Sequence, residues 1–314
     1  MQDKTEKEKK IKITWKSFTN SSFLLALFLG IGIWRYLATG GVFYMFIFGY
    51  IGFSLFIGEF LSASLVRKYK PWGRRTTQLL VGLFMLGFLG FLAHENMQIE
   101  GFFFYLYAGV FAGATLHYFI AKLAGPMFFG RGWCGWACWT MMVLDFFPWK
   151  IPAQGRIRKL GLLRYIHFAF ILGMISVLIF YLDYGPKQHH QAELTWLIVG
   201  NLFYYVSAII LAAVLKDNRA FCKYLCPIIV TQKITSGLSL FKQQIDMDSC
   251  DECEICEDNC PMDIKLLDYS RNDQRILSSE CILCNTCVNS CPTGSISTTK
   301  KFDIGWKESL NMKS

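Results

Sequence analysis

The chain of 314 residues is 53% hydrophobic and 16% aromatic but only 18% charged. An average soluble domain carries about 25% charge, and 28 Phe residues would force large apolar patches onto a soluble surface. The composition therefore excludes an ordinary soluble enzyme and a disordered chain, and indicates an integral membrane protein. The net charge of +9 is unevenly spread: residues 245–310 hold 13 acidic against 6 basic side chains, a net of −7, which leaves +16 on the remainder. The basic residues sit between apolar runs and form no stripe, which argues against nucleic-acid binding.

The chain opens on a basic segment holding Lys4, Lys7, Lys9, Lys10, Lys12 and Lys16. A helix crosses the hydrocarbon core with about 20 residues, and six apolar runs reach that length, near 20–38, 42–65, 77–94, 102–124, 163–182 and 194–215. Basic residues follow the second run (Arg67, Lys68, Lys70, Arg74, Arg75), the fourth (Arg131, Lys150, Arg156, Arg158, Lys159) and the sixth (Lys216, Arg219, Lys223), whereas the loops 39–41, 95–101 and 183–193 contain one, Lys187. This alternation predicts a multi-pass protein of the cell membrane with both termini in the cytoplasm. A second span follows the first at once and no small-residue cleavage site lies between, so no cleavable signal peptide is expected. Ionisable residues inside spans are costly and so are candidates for function. Glu59 reads as a proton or quinone group, or as a buried or interfacial carboxyl. His117 and His167 read as haem ligands, or as hydrogen-bonded histidines that pack helices.

Four of the 12 cysteines lie at the ends of spans. Arg131-Gly-Trp133-Cys134-Gly-Trp136-Ala-Cys138 aligns with Arg219-Ala-Phe221-Cys222-Lys-Tyr224-Leu-Cys226 at an offset of 88 residues. The same offset carries the third span onto the fifth and the fourth onto the sixth, so residues 77–241 read as an internal parallel repeat, a known membrane architecture. On a helix, cysteines four apart share one face. Cys134, Cys138, Cys222 and Cys226 could thus supply four thiolates to one additional iron or iron–sulfur centre. Inert or partner-contacting cysteines and a dithiol switch are the competing readings.

The other eight cysteines form Cys250-x2-Cys253-x2-Cys256-x3-Cys260-Pro261 and Cys281-x2-Cys284-x2-Cys287-x3-Cys291-Pro292. In this spacing three thiolates of a run bind one 4Fe–4S cluster and the fourth ligates the other cluster. Cys250, Cys253, Cys256 and Cys291 then hold the first cluster, and Cys281, Cys284, Cys287 and Cys260 the second. Tetrahedral zinc also uses C-x2-C pairs, but does not require the third evenly spaced cysteine or a Cys-Pro in both halves.

Residues 245–300 resemble a bacterial-type ferredoxin domain with two 4Fe–4S clusters. The resemblance implies a pseudo-twofold α+β module built for one-electron transfer. Together with the duplicated C-x3-C motifs, residues 77–300 resemble the NapH/NosR/CcoG-type membrane polyferredoxins. Members commonly read C-x3-C-P; Cys226-Pro227 keeps that proline, whereas Trp139 follows Cys138. A flavin-binding domain of the NosR kind is not seen in residues 1–75, which hold only the basic tail and two spans.

The expected fold is an all-α polytopic membrane domain of about six transmembrane helices with an internal parallel repeat, followed by a small α+β ferredoxin-like domain. The expected organisation is a basic tail with two extra helices (1–75), a four-helix membrane domain (76–241), the ferredoxin domain (242–300) and a tail (301–314). The resemblance implies single-electron transfer between a membrane donor or acceptor, a quinone or partner subunit, and a cytoplasmic redox partner. An assembly or maturation factor that reduces a metal or cofactor for a partner enzyme is the alternative, and a transporter regulated by its clusters a third reading.

Overall fold

A computed structural model describes residues 15–111, 113–149, 155–184 and 192–313. Lys187, Lys150 and the lysines at positions 4–12 lie outside the described residues. The chain forms two compact units, residues 1–81 and 82–314.

In the N-terminal unit, α1 (Trp15–Thr39) and α2 (Val42–Ser64) are joined at Gly40, whose φ of +69° is a left-handed conformation that glycine adopts without strain. α2 meets the first turns of α3 (Pro71–Leu83) through small residues. A Cβ on Gly58 would stand 1.6 Å from Thr77 Oγ1, and one on Gly73 2.1 Å from Ser62 Oγ. Small residues at helical spacing let two backbones approach this closely inside a bilayer. Glu59 is half-buried on α2.

Among the described residues, five helices are long and apolar enough to cross a membrane: Ser21–Thr39, Val42–Ser64, Pro71–Leu92, Lys159–Tyr181 and Glu193–Leu215. The third continues α3 through a π-helical stretch, Phe84–Leu92. The expected span at 102–124 is not one helix. It is divided into α4 (Ile99–Tyr107) and α5 (Ala114–Tyr118), the latter prolonged by the π-helical turns Phe119–Ala124. Gly109 and Gly113, at φ +73° and +54°, turn the chain between them. Polar residues explain the break. Gln98 abuts Gly200, Glu100 accepts a 2.8 Å hydrogen bond from Tyr204, and Phe104 stacks at 6.1 Å on Trp196. Residues 98–100 thus pack along α10 from Gly200 to Tyr204, and Phe104 packs back near its start at Trp196. Irregular backbone in a membrane domain is tolerated where protein covers it.

Short elements α6 (Pro126–Phe129), α7 (Gly132–Trp136) and α8 (Trp139–Leu144) follow, then α9 (Leu163–Ser176), α10 (Ala192–Leu215), α11 (Ala220–Tyr224) and α12 (Ile228–Ser236). The 88-residue offset carries α7 onto α11 residue for residue, and the start of α12 onto α8 displaced by one. The duplication is therefore close at the cysteine helices and lost at the fourth span, where one copy is broken and α10 is continuous.

The ferredoxin module opens and closes on an antiparallel pair, β1 (Phe241–Ile245) and β2 (Ile296–Lys300), in register from Phe241 opposite Lys300 to Ile245 opposite Ile296. Between them lie α13 (Ile255–Asp258), α14 (Leu267–Ser270) and α15 (Thr286–Ser290). The C-terminal segment straps the module down. Lys265 N–H donates to Ser309 O, Asn311 N–H to Asp263 O, and Arg156 N–H to Asn311 O, at 2.8–3.0 Å.

Candidate metal centres

The two cysteine runs fold into matching loops. The residues flanking the second cysteine of each run are left-handed: Glu252 and Glu254 at φ +49° and +60°, Leu283 and Asn285 at +47° and +58°. Successive peptide N–H groups then turn toward one point, a nest that favours an anionic group such as an iron–sulfur cluster. A pocket lies in the second loop, ringed by Cys260, Cys281, Cys284 and Cys287 and closed by Leu266, Ile276 and Ile282. The fourth cysteine of the first run therefore joins three of the second. In the first loop Cys291 approaches Ser295, whose hydroxyl donates to Ser249 O at 2.9 Å, next to Cys250. Cys260 thus lines the pocket of the second run, and Cys291 lies near the start of the first through Ser295 and Ser249.

Burial pushes the thiols of Cys256 and Cys281 up to about 12 and that of Cys260 to about 11. Metal binding needs the thiolate, so a bound metal would displace these protons. Among the described residues no three Cys, His, Asp or Glu side chains converge as the shell of a single ion.

Cys134, Cys138, Cys222 and Cys226 gather at one end of the membrane helices. Each of Cys138, Cys222 and Cys226 is pushed up first by burial and then by charge on the others of the group, Cys222 to about 12. Buried cations surround them. Lys122 lies 4.2 Å from the Trp133 ring centroid and within the charge field of Cys134, Cys138 and Cys226. Arg219 donates to Cys134 O at 3.0 Å and pairs with Asp145 at 2.7 Å. This group touches the second ferredoxin loop directly. Trp136 Nε1 donates to Leu283 O at 2.9 Å, and a Cβ on Gly135 would stand 2.3 Å from Ile282 O. Glycine inside this C-x3-C motif is what admits the loop.

The junction is locked by a group that the spacing of residues did not reveal. Glu280, adjacent to Cys281 and fully buried, accepts from Arg131 at 2.6 Å, Arg156 at 3.1 Å, Arg164 at 2.9 Å and Lys233 at 3.0 Å. Burial alone would raise its pKa, but these cations, Arg131 foremost, hold the carboxyl well below the usual range. Arg131 and Arg156 read in the sequence as charges that orient the membrane protein; in the fold they are also ligands of one carboxylate. A signal was present in the mismatch of the runs, since Ser249 stands where Glu280 stands in the other half.

The His167 ring donates through Nδ1 to Leu225 O at 2.9 Å, beside Cys226, and its ring lies 5.8 Å from that of Tyr204. His117 packs edge-on against Trp133 at 5.7 Å. Glu100, which sequence reasoning left in an outer loop, is buried. It lines a small cleft with Asn96, Phe104, Tyr105, Glu193 and Trp196, and its Oε2 has no partner there.

Comparison with known proteins agrees with this geometry. Residues 242–293 match the family described as 4Fe-4S dicluster domain, and residues 111–157 and 200–246 each match that described as 4Fe-4S binding domain. An uncharacterized protein of Methanocaldococcus jannaschii is 29% identical over 178 residues, covering 54% of this chain and 64% of that protein. YccM of Escherichia coli, named for electron transport, is 38% identical over 93 residues, 29% of this chain and 24% of YccM. The ferredoxin-type protein NapH of Haemophilus influenzae is 26% identical over 207 residues, 60% of this chain and 68% of NapH. The chain thus spans just under two thirds of the first relative and about a quarter of the second. No solved structure matches. The apolar helices, the doubled cysteine motif and the dicluster module place this chain in the NapH-like polyferredoxins, a family of membrane iron–sulfur electron-transfer proteins.

Proposed function

We propose that the protein passes single electrons between a membrane donor or acceptor, a quinone or a partner subunit, and a soluble redox partner on the cytoplasmic side, with both termini in the cytoplasm. Cys250, Cys253, Cys256 and Cys291 would hold one 4Fe–4S cluster, and Cys260, Cys281, Cys284 and Cys287 another. Cys134, Cys138, Cys222 and Cys226 would hold a third iron centre. Each cluster supplies one-electron exchange with every iron already ligated by the protein.

The observation that carries this reading is the seating of Cys134-Gly135-Trp136 on Ile282 and Leu283. It sets the first C-x3-C motif against the second ferredoxin loop, while residues 251–255 of the first loop, Cys253 among them, are exposed. Gly135 sets the approach, Trp136 fixes the register, and Arg219 ties one C-x3-C motif to the other. A quinol releases protons with its electrons. His167, His117 and Glu100 with Tyr204 are the groups that would take them in the C-terminal unit, and Glu59 is the candidate in the N-terminal unit. Reduction of the full-length protein by a quinol in detergent, followed by EPR, tests the reading. Reduced-cluster signals are expected from wild type and not from Cys134→Ser or Cys226→Ser; equal reduction of all three would count against it.

A further inference from the structure

The two ferredoxin-type loops share spacing and backbone but not charge. In the first, Asp248, Asp251, Glu252, Glu254, Glu257 and Asp258 crowd the run, and residues 251–255 are exposed. A cation there, Arg271, pairs with Glu252 at 2.6 Å in a bridge about half exposed on both sides. In the second, residues 281–291 carry no charged side chain. Its charge comes from elsewhere in the fold. Arg131, Arg156, Arg164 and Lys233 meet Glu280, with Glu308 a further 3.8 Å from Lys233, and the buried Asp263, three residues beyond Cys260, is itself paired with Lys223 at 2.5 Å, so five cations face three carboxylates. Nε and Nη2 of Arg131 and Nε of Arg164 are buried without a partner. Left so, they carry a desolvation cost, which a neighbouring anionic cluster would relieve.

An added electron makes a cluster more negative, so surrounding cations raise its reduction potential and surrounding carboxylates lower it. Apolar burial by Leu266, Ile276 and Ile282 works against the second site. The charges outweigh it, because a buried pair interacts about fourfold more strongly than the same pair in water and escapes screening by salt. Resting on the cluster assignment proposed above, we infer that the centre of Cys260, Cys281, Cys284 and Cys287 is the higher-potential, electron-holding member of the pair. The centre of Cys250, Cys253, Cys256 and Cys291 is the lower-potential, solvent-facing one. An electron on the module then rests beside Cys134 and the membrane helices, and the acidic loop is the face that a basic soluble partner meets.

EPR-monitored redox titration of the anaerobically purified full-length protein tests this, with Cys253→Ser used to assign the signal of the first centre. The expected gap is at least a tenfold preference for the second centre, 59 mV for a one-electron couple. Arg164→Gln should lower the potential of the second centre alone, and Arg164→Lys, which keeps the charge, should hold it. Glu254→Gln should raise the first centre alone. Equal midpoints, a higher first centre, or an Arg164→Gln shift shared by both centres would overturn the inference. Should Arg164→Gln fail to fold, the wild-type gap and Glu254→Gln still decide. Iron and sulfide assays on the same sample separate the two levels. A protein without bound clusters sinks the assignment itself, whereas loaded clusters with equal midpoints sink only the ordering.

Discussion

The two cysteine runs of the ferredoxin module have the same spacing and the same left-handed turns, yet one loop is an exposed acidic rim and the other is the floor of a buried junction. Glu252 meets one arginine across half-exposed side chains; Glu280, itself fully buried, meets three buried arginines and the half-buried Lys233. The cysteine motif fixes what each loop holds. What surrounds the held group is set by residues up to 149 positions away in sequence, as with Arg131 and Glu280.

The comparison can be broken most forcefully at Glu280. Glu280→Ala leaves Arg131, Arg156 and Arg164 buried, and Lys233 half-buried, without their common carboxylate, and stranding buried charge typically costs about 3–5 kcal/mol. A fall of that size in thermal or denaturant stability in detergent is expected, with loss of the second quartet's iron first. A smaller effect is expected at the contact face. Gly135→Ala forces a methyl group against the Ile282 carbonyl, and overpacking of this kind costs about 1–3 kcal/mol. Gly173→Ala, in open space on α9, should leave stability and iron content unchanged. The smallest effect is expected on the rim: Arg271→Ala removes an exposed pair, and its cost should stay within about 0.2–1 kcal/mol and shrink further in high salt. Equal losses from Glu280→Ala and Arg271→Ala would erase the distinction between the two loops.

Much of this was legible from the sequence. The eight-cysteine spacing anticipated that Cys260 would line one pocket with Cys281, Cys284 and Cys287, and the 88-residue offset anticipated α7 and α11 as copies. Apolar run length found five of the long helices but misread residues 102–124, because hydropathy averages over Gly109 and Gly113 and takes no account of a buried Glu100 that finds Tyr204. The Glu280 cluster was beyond reach for a different reason. Its members belong to α9, α12, the residue before α7 and the loop before α9, and only the fold brings them to one carboxylate. Lys and Arg in loops satisfy a topology rule whether or not they are later buried, so their second use leaves no local trace.

The account's central claim is that the membrane-face cysteines form a centre in contact with the ferredoxin module. Iron and acid-labile sulfide per chain, measured on full-length protein and on Cys134→Ser and Cys226→Ser, test it most directly. Two clusters of the ferredoxin type supply about eight irons. The account predicts more than that in wild type, with both variants falling back to about eight while the ferredoxin signals persist. Wild-type protein that holds no more iron than either variant would contradict it and leave the four cysteines with a structural role alone.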